Sequence, residues 1–438
     1  MKILSIKENF LNGNALVKNS AVLFIGTMLA SVLNYFFHLI IGRLVSVEIY
    51  GETESLLSLI NIISVPAMTL TMVATKYAAS CNAEKDRKGS REIWKYLNKK
   101  VLKYGLPIFA LAVVLTPQIG NFLNIKNNFS LILIWITMLL SFFSAINLGI
   151  LRGWQKFKQV SLAGIWGAAA KLIFGVILVK VGFALNGIVG SFMLGALASY
   201  FGAIFALKFI ITKKKDNEIE DCNYKIDFKS LKRYVVPALV GNFAIAILGN
   251  ADMVLAKHNL NSVLAGQYAA LTVVSKIIFF ATGIIASVLF SMSAENHHKK
   301  SDTLEIFKNA SLLVLGVSFC AVIFYFIFPE FVLGMLFRNK YADVAGYLGW
   351  FAIMVTIYSY VNLMFQYLLS IKKTKIAYGL FAVSSASSLV ILFIGKDIYA
   401  ILTIITITQI SALMLGFYFL LKEKNSKKAE GDFVLNEN

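Results

Sequence analysis

Long apolar runs, broken by short polar stretches, recur along the whole chain. Each is close to the roughly 20 residues an α-helix needs to cross the hydrocarbon core of a bilayer. Read in windows of about 19 residues, they place spans near 19–42, 52–80, 101–119, 129–150, 159–180 and 184–212. A second set follows near 235–257, 263–293, 307–329, 345–370, 374–395 and 398–421. The pattern predicts an all-α polytopic membrane protein of about twelve transmembrane helices. The first run is too long for a signal-peptide core and lacks a small-residue cleavage pattern, so it is expected to stay attached as the first span.

The longest polar interruption between spans, 212–233, divides them six and six. The expected organisation is an N-terminal six-helix lobe (1–212), a cytoplasmic linker (213–233), a C-terminal six-helix lobe (234–421) and a disordered cytoplasmic tail (422–438). A weak echo fits a duplication: setting Gly51 on Gly266 lays GETESLLSLINII (Gly51 to Ile63) over GQYAALTVVSKII (Gly266 to Ile278). Parallel six-span repeats are a common way to build transporters. Segment 85–103, with Ile93, Trp94, Tyr96 and Leu97 among many cations, reads as an interfacial helix.

Composition excludes an ordinary soluble enzyme, since 58% of the 438 residues are hydrophobic and only 15% are charged, against roughly 25% charged in soluble domains. The net charge of +19 suits either nucleic acid or an anionic membrane surface, and hydropathy decides for the membrane, with no nucleic-acid role. Most cations fall in alternate connecting segments, and the opposite set holds only Arg43, Lys126, Lys180, Lys257, Arg338, Lys340 and Lys396. Cytoplasmic loops retain positive charge. The bias therefore predicts a multi-pass protein of the cytoplasmic membrane with both termini cytoplasmic, its basic loops facing anionic inner-leaflet lipids. Cys81, Cys222 and Cys320 match no metal or redox spacing.

Ionisable groups inside spans are the most informative residues, because each is costly in lipid and faces a bundle interior, a partner or a wet cavity. Lys171 (in GIWGAAAKLIFGVIL) and Lys276 (in LTVVSKIIFFATG) sit mid-span, Asp252 lies near the outer end of the seventh span, and Lys76 is close enough to an end to snorkel. Glu54, Ser58, Asn61 and Ser64 recur at helical spacing on one face of the second span. Tyr268, Thr272, Ser275 and Thr282 do the same in the eighth, and Asn362 and Gln366 stand one turn apart in the tenth. Such stripes either line a cavity or hold helices together. Pro66 removes a backbone donor and should kink the second span. Arg43, Glu48, Glu52 and Glu54 cluster at an interface, where charge is ordinarily solvated.

Catalytic signals are few. The acidic run EIED (Glu218 to Asp221) is not an aspartate-rich metal motif, His297 and His298 are adjacent beside Lys299 and Lys300, and there is no Walker A pattern. The expectation is a non-enzyme without a bound cofactor.

Three stretches carry a family resemblance: KNSAVLFIGTMLASVLNYFFHLIIGRLVSVEIYGETESLLSL (Lys18 to Leu59), LRGWQKFKQ (Leu151 to Gln159) and NADMVLAKHNLNSVLAGQYAA (Asn250 to Ala270). They resemble the oligosaccharide flippase branch of the multidrug/oligosaccharidyl-lipid/polysaccharide (MOP) exporter superfamily, which also holds the MATE extruders. The resemblance implies two six-helix lobes forming a V and transport by alternating access. It implies a polyprenyl-diphosphate-linked oligosaccharide as substrate, moved from the inner to the outer leaflet for O-antigen or capsule-type polymer, with polysaccharide polymerase machinery as a neighbour. Arg43 matches the family's arginine after the first helix, and Asp252 its aspartate in the seventh. The resemblance thus points to Arg43 for substrate binding and to Asp252 for a coupling H⁺ or Na⁺; Lys171 and Lys276, on the cost of mid-span charge alone, and Glu54 and Asn61, on their polar stripe, are the other expected substrate-binding residues. A MATE-type multidrug or cation antiporter is the nearest alternative, although the first span (Ser20 to Gly42) holds no carboxylate for an organic cation. A membrane glycan polymerase needs a large extracytoplasmic loop, and the longest candidate is Phe328 to Gly346.

Overall fold

The computed structural model describes the backbone of residues 2–212, 228–298 and 303–436. Side chains are described from 22 to 212 and from 235 to 422, apart from 291, 294, 295, 297–302 and 339. The expected linker 213–233 and the side chains of His297 and His298 lie outside the described residues.

Among the described residues sixteen α-helices follow one another: α1 (Lys2–Leu44), α2 (Val47–Ile63), α3 (Val65–Ala83), α4 (Arg87–Val114), α5 (Thr116–Phe122), α6 (Asn128–Gly153), α7 (Phe157–Lys180), α8 (Ala184–Ala206), α9 (Lys208–Ile211), α10 (Phe228–Asn259), α11 (Ser262–His298), α12 (Leu304–Ile327), α13 (Pro329–Phe337), α14 (Leu348–Ser370), α15 (Ile376–Ile394) and α16 (Ile398–Asn436). Of these described helices ten are long and apolar enough to cross a membrane by themselves, and two bent pairs, α2 with α3 and α4 with α5, raise the count to as many as 12. Large apolar side chains such as Trp166, Phe201, Phe319 and Phe393 remain exposed along these helices, as expected where the surrounding medium is lipid. This is a multi-pass, all-helical membrane protein.

Proline accounts for both breaks. Pro66 occupies the first turn of α3, where no intrahelical donor is needed, and the chain bends by 40° between α2 and α3, as its position predicts. The α4/α5 pair bends by 57°, with Pro117 in the first turn of α5. Segment 85–103 is not a separate interfacial helix. It is continuous with the following span in α4, which is 28 residues long: Asp86 caps its start by accepting from the Gly89 amide at 2.7 Å, and the helix carries on through Pro107 to Val114. The expected loop Phe328 to Gly346 is also ordered, as α13 and a 3-10 segment over Arg338–Tyr347. The backbone of α16 carries on past Leu421 to Asn436, where a disordered tail was expected. Its lysines, glutamates and alanine are good helix formers.

The chain divides into two compact units, one of Met1–Ile49 with Ile63–Ile226, the other of Tyr50–Ile62 with Asp227–Asn438. Most of α2 thus belongs with the second unit, which departs from a contiguous first lobe ending at 212. Within the first unit, α7 packs on α1 and α8, and α6 on α3, α4 and α8. Small residues let α3 and α6 approach closely: a Cβ built on Gly149 would meet the Ala74 Cβ at 2.6 Å, and one on Gly153 the Ala78 Cβ at 2.5 Å. Such small-xxx-small pairs drive helix association in lipid, where burial of apolar surface supplies no net force. In the second unit α14 is the central helix, packing against α11, α12 and α16, while α10 packs on α15. Its core includes Tyr358, Leu363, Phe365, Tyr367 and Leu368.

The outer part of α2 is seated by a backbone contact. A Cβ on Gly51 would lie 2.8 Å from the amide nitrogen of Gly266. The residues aligned by the sequence echo therefore touch each other. Beside them Tyr50 packs on Phe337 and Tyr341, with ring centroids 5.5 and 6.3 Å apart.

Candidate functional site

Seating α2 against α11 brings its polar face to the polar residues of α10 and α11. Asn250, in α10, is the hinge-pin of the arrangement: its Oδ1 accepts from Asn61 Nδ2 at 3.1 Å and from Lys276 Nζ at 3.3 Å. Its own Nδ2 donates to the Ala246 carbonyl at 2.9 Å, which fixes the amide orientation. The position of α10 at this point is set by Gly249, whose missing side chain makes room for the Tyr358 ring. Tyr358 donates to the Ile245 carbonyl at 3.0 Å and stacks on Phe279.

Lys276 is half-buried and lies within electrostatic reach of both Asp252 and Glu54. An ammonium carries three N–H donors, and Asn250 is the one hydrogen-bond partner of Lys276 among the described residues. Two donors remain to be matched. Asp252 is 2% exposed. Its Oδ2 accepts from the Tyr268 hydroxyl at 2.8 Å, and its Oδ1 is buried with no hydrogen-bond partner among the described residues. Lys257, also in α10, is 1% exposed and faces Glu52 Oε1 at 3.7 Å. The second unit therefore gathers Glu52, Glu54 and Asp252 against Lys257 and Lys276.

The structure thus places Glu54, Asn61, Asp252 and Lys276 together in one unit, and adds Asn250 and Lys257, which sequence reasoning missed. Lys257, the last residue of the expected seventh span at 235–257, counts among the outer-side cations in the sequence reading. Asn250 carried a usable signal as an amide inside an apolar run, next to the aspartate that drew attention. The two polar stripes do not form open cavity walls within this unit. Glu54 and Ser58 are buried, as are Tyr268, Thr272, Ser275 and Thr282; the hydroxyls of Ser275 and Thr282 return to carbonyls of their own helix. Asn61 is the exposed member of its stripe.

Two other candidates lie in the first unit. Arg43 occupies the last turn of α1 and is half-buried. Lys171, in α7, places its ammonium 4.5 Å from the centroid of Phe37 and 5.6 Å from that of Phe192. Two aromatic faces supply a cation with electrostatic stabilisation that hydrocarbon lacks. Those two rings contribute to the stabilisation of a lysine in the middle of a span. Gly195 gives it passage, as a Cβ at that position would come within 3.0 Å of the Lys171 Cβ.

Comparison with known proteins decides the family. Residues 16–297, more than half of the chain, match the profile of the polysaccharide biosynthesis protein family. The chain belongs to that family. This polysaccharide biosynthesis family protein is also similar to an uncharacterised membrane protein of Methanocaldococcus jannaschii, 24% identical over 433 residues that cover 94% of this chain and 99% of the relative. Its fold is that of MATE transporters. An inward-facing multidrug resistance MATE transporter of the MOP superfamily superposes with a TM-score of 0.72 at 13% identity, over 91% of this chain and 96% of the other. An outward-facing conformation of such a transporter gives 0.63 at 14% identity, over 95% and 96%. A chain of this family carries the MATE-like fold, in keeping with the resemblance read from the sequence.

Proposed function

We propose that the protein is a lipid-linked oligosaccharide flippase, moving polyprenyl-diphosphate-linked repeat units from the inner to the outer leaflet by alternating access for surface polysaccharide synthesis. The observation that carries the reading is Lys276: an ammonium in the middle of a membrane span, held by Asn250, with two N–H donors left for another acceptor. A diphosphate cannot enter hydrocarbon without replacement solvation. Charge-assisted hydrogen bonds from an ammonium are the strong kind that supply it. In this account Asn61, exposed and bonded to the same Asn250 oxygen as Lys276, bonds sugar hydroxyls. Lys171 and Arg43 provide positive charge in the first unit, while the prenyl chain stays in lipid. Asp252, with one carboxylate oxygen unmatched, is the group to take a coupling H⁺ or Na⁺. Both termini are cytoplasmic in this account, so that the basic loops face the anionic leaflet and the exported unit emerges where polymerase machinery uses it.

A multidrug or cation antiporter is the second reading, and the buried carboxylates Glu54 and Asp252 favour it. Against it, both act on Lys276, which already occupies the place of a cationic ligand. Proteoliposomes separate the two readings. A fluorescent polyprenyl-diphosphate saccharide in the inner leaflet should become accessible to an external quencher with wild-type protein and not with Lys276→Ala. Ethidium efflux by the wild type, with no saccharide translocation, would select the antiporter.

A further inference from the structure

The start of α4 carries a cluster that takes no part in substrate binding or ion coupling and gives the general attraction of the basic loops to an anionic leaflet one defined place. One face of the helix, Ser90, Ile93, Leu97, Val101 and Gly105, is buried in the first unit. The opposite face is basic and exposed, with Lys88, Lys95, Lys99 and Lys103. Lys95 is matched by Glu92 at 2.8 Å. Lys99, Lys100 and Lys103 meet no carboxylate among the described residues. Two of the three are instead pinned by aromatic rings: Lys100 Nζ lies 5.3 Å from the centroid of Tyr96 and 5.6 Å from that of Tyr104, and Lys103 Nζ lies 5.6 Å from Tyr104.

The level of this cluster along the helix identifies its surroundings. Directly after Tyr104 the exposed residues of α4 turn apolar, with Leu106, Ile108, Leu111 and Val114. That change marks where water gives way to lipid. The stretch from Lys99 to Tyr104 rises about 7 Å along the helix axis, close to the depth of one headgroup layer, about 5 to 7 Å. Tyrosines paired with cations belong at that level. Three unmatched ammonium groups there face the layer that holds lipid phosphates.

We propose that Lys99, Lys100 and Lys103, with Tyr96 and Tyr104 as their aromatic supports, form a docking surface for anionic phospholipid headgroups. The surface selects phosphatidylglycerol-type lipids over zwitterionic ones and fixes the depth of α4 in the membrane. Charge complementarity carries the choice of occupant, since a lipid phosphate at this depth meets all three cations whereas a soluble acidic segment would have to enter the headgroup layer. The site is independent of the transport reading and stands or falls separately.

Native mass spectrometry of the detergent-solubilised full chain, titrated with phosphatidylglycerol or phosphatidylcholine, tests it. Each cation near an anionic surface is worth about fivefold in affinity, so the wild type should bind phosphatidylglycerol at least tenfold more tightly. Lys99→Gln/Lys100→Gln/Lys103→Gln should bring the two lipids to parity at an unchanged melting temperature, and the triple Arg variant should keep the preference. If the Gln variant fails to fold, raising ionic strength on the wild type should erase the preference instead. A preference that survives the Gln substitutions, or that resists salt, overturns the proposal. Equal binding of both lipids by the wild type does so too, and would hand the basic stripe to an acidic soluble partner.

Discussion

Replacing Gly51 tests how the site is assembled. A Cβ there would lie 2.8 Å from Gly266 N, 2.9 Å from Gly266 Cα and 3.1 Å from the Ala265 carbonyl carbon. All three are backbone atoms of the facing helix, so no side chain can rotate out of the way. Ordinary contact is about 3.5 to 4.0 Å, so α2 and α11 must part by roughly 0.7 to 1.2 Å. Overpacking of this kind costs about 1 to 3 kcal/mol, while alanine recovers about 1 kcal/mol over glycine in a helix. Gly51→Ala should therefore lose about 1 kcal/mol and Gly51→Val about 3 kcal/mol. For a chain of this size that corresponds to about 1 to 2 °C and about 4 °C in melting temperature, measured by thermal unfolding in detergent. The same separation lengthens the 3.1 Å bond from Asn61 to Asn250, so transport should fall more steeply than stability. A Gly51→Val protein that melts with the wild type and transports normally would refute the claim that this backbone contact positions the site.

Further consequences concern the buried charges. Lys257→Met leaves Glu52 without its 3.7 Å partner; because the Glu52 side chain is partly exposed, the loss should be about 2 kcal/mol, below the range for fully buried pairs. Glu52→Gln/Lys257→Met should recover most of it, a coupling that a double-mutant cycle in thermal melting would read. Tyr268→Phe removes the hydroxyl that donates to Asp252 at 2.8 Å and leaves a buried carboxylate oxygen unmatched, costing about 2 kcal/mol in the same assay. Asn250→Leu removes the acceptor shared by Asn61 and Lys276, so proteoliposome transport should drop at least tenfold, and unchanged transport would remove Asn250 from the site.

Much of the fold is written in the hydropathy pattern, because a bilayer imposes one length on every span. The bend after α2 was readable from Pro66, since a missing amide acts locally. What the sequence could not reveal was partner choice. Asn61 and Asn250 are 189 residues apart, and helical periodicity names the face of a residue without naming what the face meets. Glu54 and Lys257 illustrate the same limit: both sit close enough to span ends to pass as solvated charge, and both are buried because a neighbouring helix covers them. Segment 85–103 misled for a different reason. Amphipathic cations suggest a helix lying in the interface, but its apolar face packs on protein, and α4 runs on into the membrane.

The central claim is that mid-span ammonium groups carry a lipid-linked anionic glycan across the membrane. The most direct measurement is the pool of lipid-linked repeat units, together with surface polysaccharide, in the native host with the gene deleted and then complemented by wild type or by Lys171→Ala/Lys276→Ala. The account predicts that deletion abolishes surface polymer and accumulates lipid-linked units at the inner leaflet, and that only the wild type restores export. Unchanged glycans in the deletion strain, accompanied by sensitivity to organic cations, would contradict it.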